Sequence, residues 1–199
     1  MIDTAPREMD YAAARRAMID SQLRTSGVNE PFVLERMRDV RREDFVPADA
    51  RGVCYNDRTI PLAGGGTLAQ PVAHGKMLAE ARPTLDDEVL VVENGSGYLA
   101  ALVEPLAKTV LSVPIAEGVE GKAKGKFSLV LVDGAIEHCP PALAKKMKDD
   151  GRMVTGLVVN GVSRLAVGQR SGKGVAFLTV GDVALPRLAA FDKPKGWSF

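Results

Sequence analysis

Cysteine, histidine and aromatic residues are scarce in this 199-residue sequence, and it contains no long apolar run. The two cysteines, Cys54 and Cys139, lie far apart without a C-x-x-C spacing, so they form no disulfide framework and suit a reducing compartment. Two histidines add too few ligands for a zinc site, and we expect no metal. No apolar run approaches the roughly 20 residues that cross a bilayer, and the N-terminal residues lack the apolar stretch of a signal peptide.

The charges of the chain are nearly balanced. There are 26 Lys+Arg against 25 Asp+Glu, and the formal net charge is +1. A general nucleic-acid binder needs a basic face that displaces counterions, so this balance argues against a nucleic-acid partner. The content of 46% hydrophobic and 26% charged residues is that of an ordinary globular domain. We therefore expect a cytoplasmic protein with neither nucleic acid nor a membrane as its partner.

One domain is predicted over residues 1–199, with a helical N-terminal subregion at 1–60 and an α/β core at 61–199. The first 60 residues contain ten Arg and no Lys, whereas all eleven Lys follow them. Apolar residues at helical spacing predict one helix over 11–23 and a second that begins near Pro31. The composition shift and the helical spacing together set the subregion apart from the core.

The core alternates short apolar runs with helical patterns. Continuous apolar runs such as 88–92 and 127–132 are typical of parallel strands that are covered on both faces. A further strand is expected at 152–160, after a turn at 149–151. The last segments, 161–167 and 174–180, are joined by a Gly/Ser/Lys turn and predict a hairpin. The predicted fold class is α/β, with a mostly parallel sheet and an antiparallel C-terminal edge.

A glycine-rich turn follows the first core strand. The run at 88–92 leads into Asn94-Gly95-Ser96-Gly97, and a helix follows. A ligand can approach the backbone closely at such a turn, and the helix N-terminus offers free N–H groups. Gly95, Ser96 and Gly97 are therefore the candidate cofactor-binding residues. Tight strand-to-helix turns also need small residues for steric reasons alone, so a turn that binds nothing stays open at this point.

The chain resembles the protein-L-isoaspartate O-methyltransferase family. The resemblance is carried by motifs that occur in family order over most of the chain, at 18–24, 33–37, 42–47, 55–58, 65–71, 95–98 and 151–154. It implies a Rossmann-like methyltransferase fold with a helical N-terminal addition. It also implies S-adenosylmethionine as the cofactor and the carboxylate of an isoaspartyl residue in damaged protein as the group that is methylated.

The cofactor turn departs from the family pattern. Counting back from Gly95, Glu93 stands where the family has the first glycine of the turn, and Val91 stands where it has an acidic residue. Pro114 ends the second strand, where an acidic residue would accept from the ribose hydroxyls. Glutamate adds bulk and negative charge, and valine and proline side chains accept no hydrogen bond. We expect weak S-adenosylmethionine binding or none.

The substrate loop also departs from the family pattern. Ala69 stands at the position of the family serine that lies close to the reacting carboxylate, and it carries no hydroxyl. Thr67 lies in the same loop and is the one candidate substitute. No catalytic residue is therefore assigned.

The interval 114–126 is short for this family. Its members place a helix, another strand and a glycine-containing turn there, and this chain offers 13 residues. Because one parallel crossover takes a dozen or more residues, two crossovers and a strand cannot fit. The sequence therefore predicts that one strand-helix unit is missing.

His74 and His138 are the candidate general bases of the chain. Asp133 and His138 lie near the end of a strand, and such a pair can orient a base. No nucleophile elbow accompanies them, so we interpret His138 as a loop residue. His74, early in the helix after Pro71, is interpreted as a capping or surface residue.

Two functions stay open. In the first, the protein is a degenerate family member that acts as an interaction or regulatory module with a protein partner. In the second, it is an active S-adenosylmethionine-dependent protein-L-isoaspartate (D-aspartate) O-methyltransferase that acts on a protein substrate in protein repair. The departures from the family pattern favour the first function, that of a degenerate family member. A third reading, a homodimer, follows because a missing strand leaves a sheet edge uncovered.

Overall fold

The computed structural model describes residues 9–194. In this part of the chain a helical segment precedes a six-stranded mixed sheet, and a two-stranded hairpin lies between them. The α-helices are α1 Tyr11–Met18, α2 Pro31–Asp39, α3 Pro71–Ala81, α4 Tyr98–Val103, α5 Ile115–Glu120 and α6 Pro141–Ala144. The strands are β1 Ile60–Pro61, β2 Thr67–Leu68, β3 Glu88–Glu93, β4 Thr109–Pro114, β5 Phe127–Ile136, β6 Met147–Val159, β7 Val162–Ser171 and β8 Gly174–Gly181.

The N-terminal subregion is helical, as predicted. Helix α1 continues into a π-helical turn at Ile19–Leu23, and the chain turns away at Gly27, whose φ of 86° lies in the left-handed region that glycine adopts readily. Helix α2 begins at Pro31, because proline's fixed φ suits the first helical position and its missing N–H costs nothing there.

The predicted α/β class is confirmed. The strand order is β4-β3-β5-β6-β7-β8. Strands β4, β3, β5 and β6 run parallel, β7 pairs antiparallel with β6, and β8 pairs antiparallel with β7. In β3, Val89 and Val91 belong to one core cluster and Leu90 and Val92 to the other. Because both faces of this strand are covered, it has the continuous apolar run of a buried parallel strand.

Strand β6 differs from its prediction. It begins at Met147, so the expected turn at 149–151 lies inside the strand. Its ladder with β5 pairs Phe127 with Met147 but Leu129 with Arg152, which leaves extra residues in a bulge. Gly and Asp are typical of turns and of bulges alike, so their presence does not distinguish between the two.

The short interval after β4 contains a single helix. Residues 114–126 are all described, and α5 is their one regular element beyond the end of β4. Gly118 lets α5 approach β3 closely, since a Cβ there would lie 2.6 Å from Val92 Cγ1. Strand β4 is consequently at the edge of the sheet, as the prediction of a missing strand-helix unit requires.

An ion pair joins three elements at the amino end of the sheet. Arg152 donates from Nη1 and Nη2 to the two carboxylate oxygens of Asp87, at 3.0 and 2.8 Å, and its Nε donates to Ala81 O at the end of α3. Ser128 also donates to Asp87. Burial alone raises the pKa of Asp87, but the hydrogen bonds from Arg152 and Ser128 outweigh it and hold that pKa well below its usual range.

We expect Asp87→Asn to lower the free energy of unfolding at pH 7 by about 2 kcal/mol, because Arg152 loses its charged partner. The folded pKa of Asp87 is depressed, so its contribution is present above the unfolded pKa of about 3.9 and is lost as the pH falls below it. Urea unfolding at pH 7 and pH 3 measures both effects. Glu88→Gln, which removes an exposed pairing with Lys148, is the matched control and should change little. Equal losses from the two variants would contradict the assignment.

Candidate functional site

A cleft of about 480 Å³ opens at the carboxyl ends of β3 and β4. Ligands of parallel α/β sheets bind at this end of the strands. The lining residues are Gly64, Gly65, Gly66, Glu93, Asn94, Gly95, Gly97, Ser112, Val113, Pro114, Ile115 and Ala116. One wall of the cleft is therefore formed largely by backbone atoms and another by apolar side chains, and Glu93 supplies one carboxylate.

The three predicted cofactor-binding residues have different roles in the structure. Gly95 and Gly97 line the cleft, and their φ values of 90° and 71° explain why glycine occurs at both positions. Ser96 is not among the lining residues, and its Oγ accepts from the Tyr98 N–H at 3.2 Å. Ser96 thus supports the start of α4.

Glu93 occupies the N-terminus of α4. Its Oε2 accepts from the Gly97 N–H at 3.0 Å, and its Oε1 accepts from the Ala100 N–H at 3.2 Å. The first N–H groups of a helix have no intrahelical partner and carry partial positive charge, so they form a natural anion site. In this chain that anion site holds a carboxylate of the protein itself.

The environment of Glu93 favours its protonated form. The residue is 9% exposed. Burial, and then the nearby charge of Asp133, raises the pKa of Glu93 to about 7, against the opposing effect of the two backbone N–H donors. The cleft wall consequently carries a carboxyl group that changes charge near neutral pH.

A hairpin closes over the glycine-rich turn. Strands β1 and β2 pair antiparallel, and the loop between them lies against Asn94. Thr67 N–H donates to Asn94 O at 2.9 Å, and Asn94 Nδ2 donates to Thr67 Oγ1 at 2.7 Å. A Cβ on Gly66 would lie 2.1 Å from Asn94 O. The loop at 64–66 therefore packs directly against the glycine-rich turn at this end of the cleft.

The candidate substrate-loop residues are engaged within the protein. The Thr67 hydroxyl is held by Asn94, which ties it to the glycine-rich turn. Ala69 is 1% exposed, and its carbonyl accepts from Arg42 Nη2 at 2.7 Å. Neither residue lines the cleft. In this conformation neither residue of the substrate loop places a hydroxyl at the cleft.

The interpretation of His74 as a capping or surface residue is wrong. His74 is fully buried, and its Nε2 lies 2.9 Å from Asp133 Oδ1. Asp133 therefore pairs with His74 and not with His138, whose Nδ1 lies 3.0 Å from Phe191 O. One overlooked signal was that apolar residues occur on almost every side of α3, a pattern typical of a buried helix.

Arg42 determines which ring nitrogen of His74 accepts a hydrogen bond. Its Nη1 lies 3.3 Å from His74 Nδ1, and a guanidinium donates only. Nδ1 must then accept, so the hydrogen of the neutral imidazole is on Nε2 and points to Asp133. Both nitrogens are engaged and the ring is buried, so His74 is not available as a base for a ligand in the cleft.

Within the described part of the chain, only one of the two carboxylate oxygens of Asp133 has a hydrogen-bond partner. Its Oδ1 has His74 as a partner, whereas its buried Oδ2 has no hydrogen-bond partner. A buried carboxylate with a free oxygen is costly, and it acts on neighbouring acids through its charge. This explains why Asp133 contributes to the raised pKa of Glu93.

Within residues 9–194, no group of three or more His, Cys, Asp or Glu side chains comes together as a set of metal ligands. None of the helices in the same residues is long and apolar enough to cross a membrane.

Comparisons with known proteins agree on one family. The family model described as protein-L-isoaspartate(D-aspartate) O-methyltransferase matches residues 13–115. A protein-L-isoaspartate O-methyltransferase of Koribacter versatilis is 34% identical, with 75% of this chain and 79% of the relative aligned. One from Nitrosospira multiformis is 31% identical, with 74% of each chain aligned.

Solved structures share the fold. A Plasmodium falciparum protein, described as a protein-L-isoaspartate O-methyltransferase in complex with S-adenosyl-L-homocysteine, superposes with a TM-score of 0.70 at 14% identity. The superposition covers 92% of this chain and all of that one. At this identity the likeness concerns the fold alone.

The relatives are longer than this chain within the aligned region. The alignment with the Koribacter relative has 175 positions but includes 75% of the 199 residues here, about 149, so roughly 26 of its positions have no counterpart. A shorter alignment with a Synechococcus relative, 40% identical over 103 residues, includes 52% of this chain and needs no such gap. The family-model match ends at Ile115, just after β4.

We expect Gly66→Ala to destabilise the protein by about 2 kcal/mol, because its Cβ would overlap the Asn94 carbonyl and displace the hairpin. Thermal and urea unfolding measure the loss. Gly64→Ala is the matched control in the same loop, since a Cβ there meets nothing within 4 Å. Equal stability of the two variants would show that the hairpin does not pack on the turn.

We expect His74→Leu to cost about 3 kcal/mol of stability, because it leaves the buried Asp133 carboxylate without its donor. His138→Leu is the control and should cost less than about 1 kcal/mol, since it removes one hydrogen bond to a carbonyl at a partly buried site. Adding Asp133→Leu to His74→Leu should recover part of the loss. If His74→Leu is as mild as the control, the buried pair is not a stabilising contact.

Proposed function

This chain belongs to the protein-L-isoaspartate(D-aspartate) O-methyltransferase family, and from that premise we propose that it has lost S-adenosylmethionine binding and methyl transfer. Its role is then that of an interaction or regulatory module with a protein partner. The observation that carries the proposal is the Glu93 carboxylate on the N-terminus of α4.

The electrostatics of the turn support this reading. A ligand that brings a carboxylate to the α4 N-terminus meets Glu93, which already accepts from the Gly97 and Ala100 N–H groups. When Glu93 is ionised the two carboxylates repel each other, and when it is protonated its side chain still fills the space. The helix N-terminus therefore gives no net attraction to an anionic ligand group.

The acceptors that the family uses are also missing. Val91 is fully buried in the core and does not line the cleft, and its side chain accepts no hydrogen bond. Pro114 ends β4 at the cleft and offers no side-chain acceptor to ribose hydroxyls. The residues present at the cleft do not fit S-adenosylmethionine.

The shortened interval after β4 supports the same conclusion. Relatives carry roughly 26 more aligned positions than this chain. Residues 114–126 contain one helix, α5, so this interval offers no further strand to form a wall at this side of the cleft. A cytoplasmic location is part of the proposal, and it accords with two cysteines that are both free.

A second candidate is an active protein-L-isoaspartate O-methyltransferase with S-adenosylmethionine as its cofactor and a protein substrate. One observation favours it: a cleft of about 480 Å³ persists beside Gly95 and Gly97. Methyl transfer to a carboxylate depends mainly on alignment of the two reactants and needs few catalytic side chains. A rebuilt cleft could therefore still perform it.

We expect the wild-type protein to show no binding of S-adenosylmethionine or S-adenosylhomocysteine by calorimetry at ligand concentrations up to about 1 mM. Glu93→Gly frees the two N–H groups of α4 and should bind S-adenosylhomocysteine at least tenfold more tightly, about 1.4 kcal/mol, than the wild type. Glu88→Gly, at the other end of β3, should give no gain. Micromolar binding by the wild type would overturn the proposal, and turnover on an isoaspartyl peptide would establish the second candidate.

A further inference from the structure

We infer that the free edge of β4 is a self-association surface, on which two copies of this chain pair antiparallel and extend the sheet across a two-fold axis. Strand β4 pairs with β3 on one side and is terminal in the strand order. An unpaired edge presents N–H and C=O groups to any strand that can reach them. Thr109, Leu111 and Ser112 of this strand are exposed, Leu111 by 37%.

The topology explains why this edge is open. Strand β3 is paired on both sides, with β4 and β5, and β5 is paired with β3 and β6. A parallel strand that a longer chain inserted between β4 and β5 would thus join the sheet beyond β4. The roughly 26 additional aligned positions of the Koribacter relative are enough for such a segment, whereas the 13 residues at 114–126 of this chain hold a single helix.

The edge of β4 lacks the features that protect other edges. It pairs with β3 over six consecutive residues without a register shift, it contains no charged residue, and its proline is at the last position. At the opposite edge of the sheet, the β7–β8 ladder has an irregularity between Leu165 and Ala166. Bulges, charges and prolines within a strand discourage edge pairing. Strand β8 also contains no charged residue and no proline, so the irregularity in its ladder with β7 is what distinguishes it from β4.

Charge complementarity identifies the occupant as a second copy. Lys108 is exposed immediately before β4, and Glu117 is exposed in the first turn of α5 after it. Antiparallel pairing brings the Lys108 end of each copy to the Glu117 end of the other, whereas parallel pairing would bring like charges together. Leu111 and Ser112 lie at the middle of the strand, next to the two-fold axis.

This inference rests on the proposed function, because it gives the proposed interaction role a specific surface and partner. Its test requires no cofactor. A negative result here leaves the S-adenosylmethionine titration unaffected, and cofactor binding by the wild type would leave the dimer unaffected. The two proposals therefore fail separately.

The test is sedimentation velocity on the full chain from about 1 to 500 µM, a range that spans the affinity of a small interface. We expect a reversible dimer whose dissociation constant rises at least tenfold in Leu111→Lys. Leu178→Lys is the matched control, because Leu178 is 70% exposed on the other edge strand, β8. Circular dichroism melting of each variant checks that it is folded.

Charge reversal tests the antiparallel arrangement itself. Lys108→Glu and Glu117→Lys should each weaken the dimer several-fold, and the double variant should restore wild-type association because the pairs are reversed together. A chain that stays monomeric throughout the range would overturn the inference. Dissociation by Leu178→Lys in place of Leu111→Lys would also overturn it, by moving the interface to β8.

Discussion

The buried guanidinium of Arg42 is the interaction on which the arrangement around the cleft depends. It cannot lose its charge, so each of its nitrogens needs an acceptor. It finds Cys54 O at the end of the helical subregion, Ala69 O after the hairpin and His74 Nδ1 in α3. The last contact sets the tautomer of His74, which then donates to Asp133 at the sheet. One side chain thereby couples the orientation of three segments to a carboxylate beside the cleft.

The same chain of contacts explains the state of the cofactor turn. Asp133 is anchored through one oxygen, and its charge adds to burial in raising the pKa of Glu93. Glu93 in turn caps α4. The strands and helices are specified by apolar patterns that are independent of these polar residues, so the family fold does not depend on the residues at this turn.

Sequence patterns predicted the features that rest on local constraints. The apolar run at 88–92 marks β3 because both faces of that strand are covered, and Gly95 and Gly97 mark positive φ angles in the turn. The burial of His74 was missed because its partners, Arg42 and Asp133, lie 32 and 59 residues away in sequence. The hydrogen bonds of Glu93 were missed although their donors, Gly97 and Ala100, lie only 4 and 7 residues away in sequence. The identity of a residue predicts the bulk and charge of its side chain. The direction in which that side chain points depends on the N–H groups that the fold brings within its reach.

The position of the missing segment decides what its loss costs the molecule. Removal of a strand from the interior of a parallel sheet would break two ladders and divide both core clusters. Removal at the β4 edge leaves β3 and β5 fully paired, and α5 still packs on β3 through Gly118. The stability of the sheet is thus largely retained, while the cleft loses a wall and the sheet gains a free edge. The proposed loss of ligand binding and the exposed edge therefore have one structural origin, because the cleft lies at the end of the strand that forms the edge.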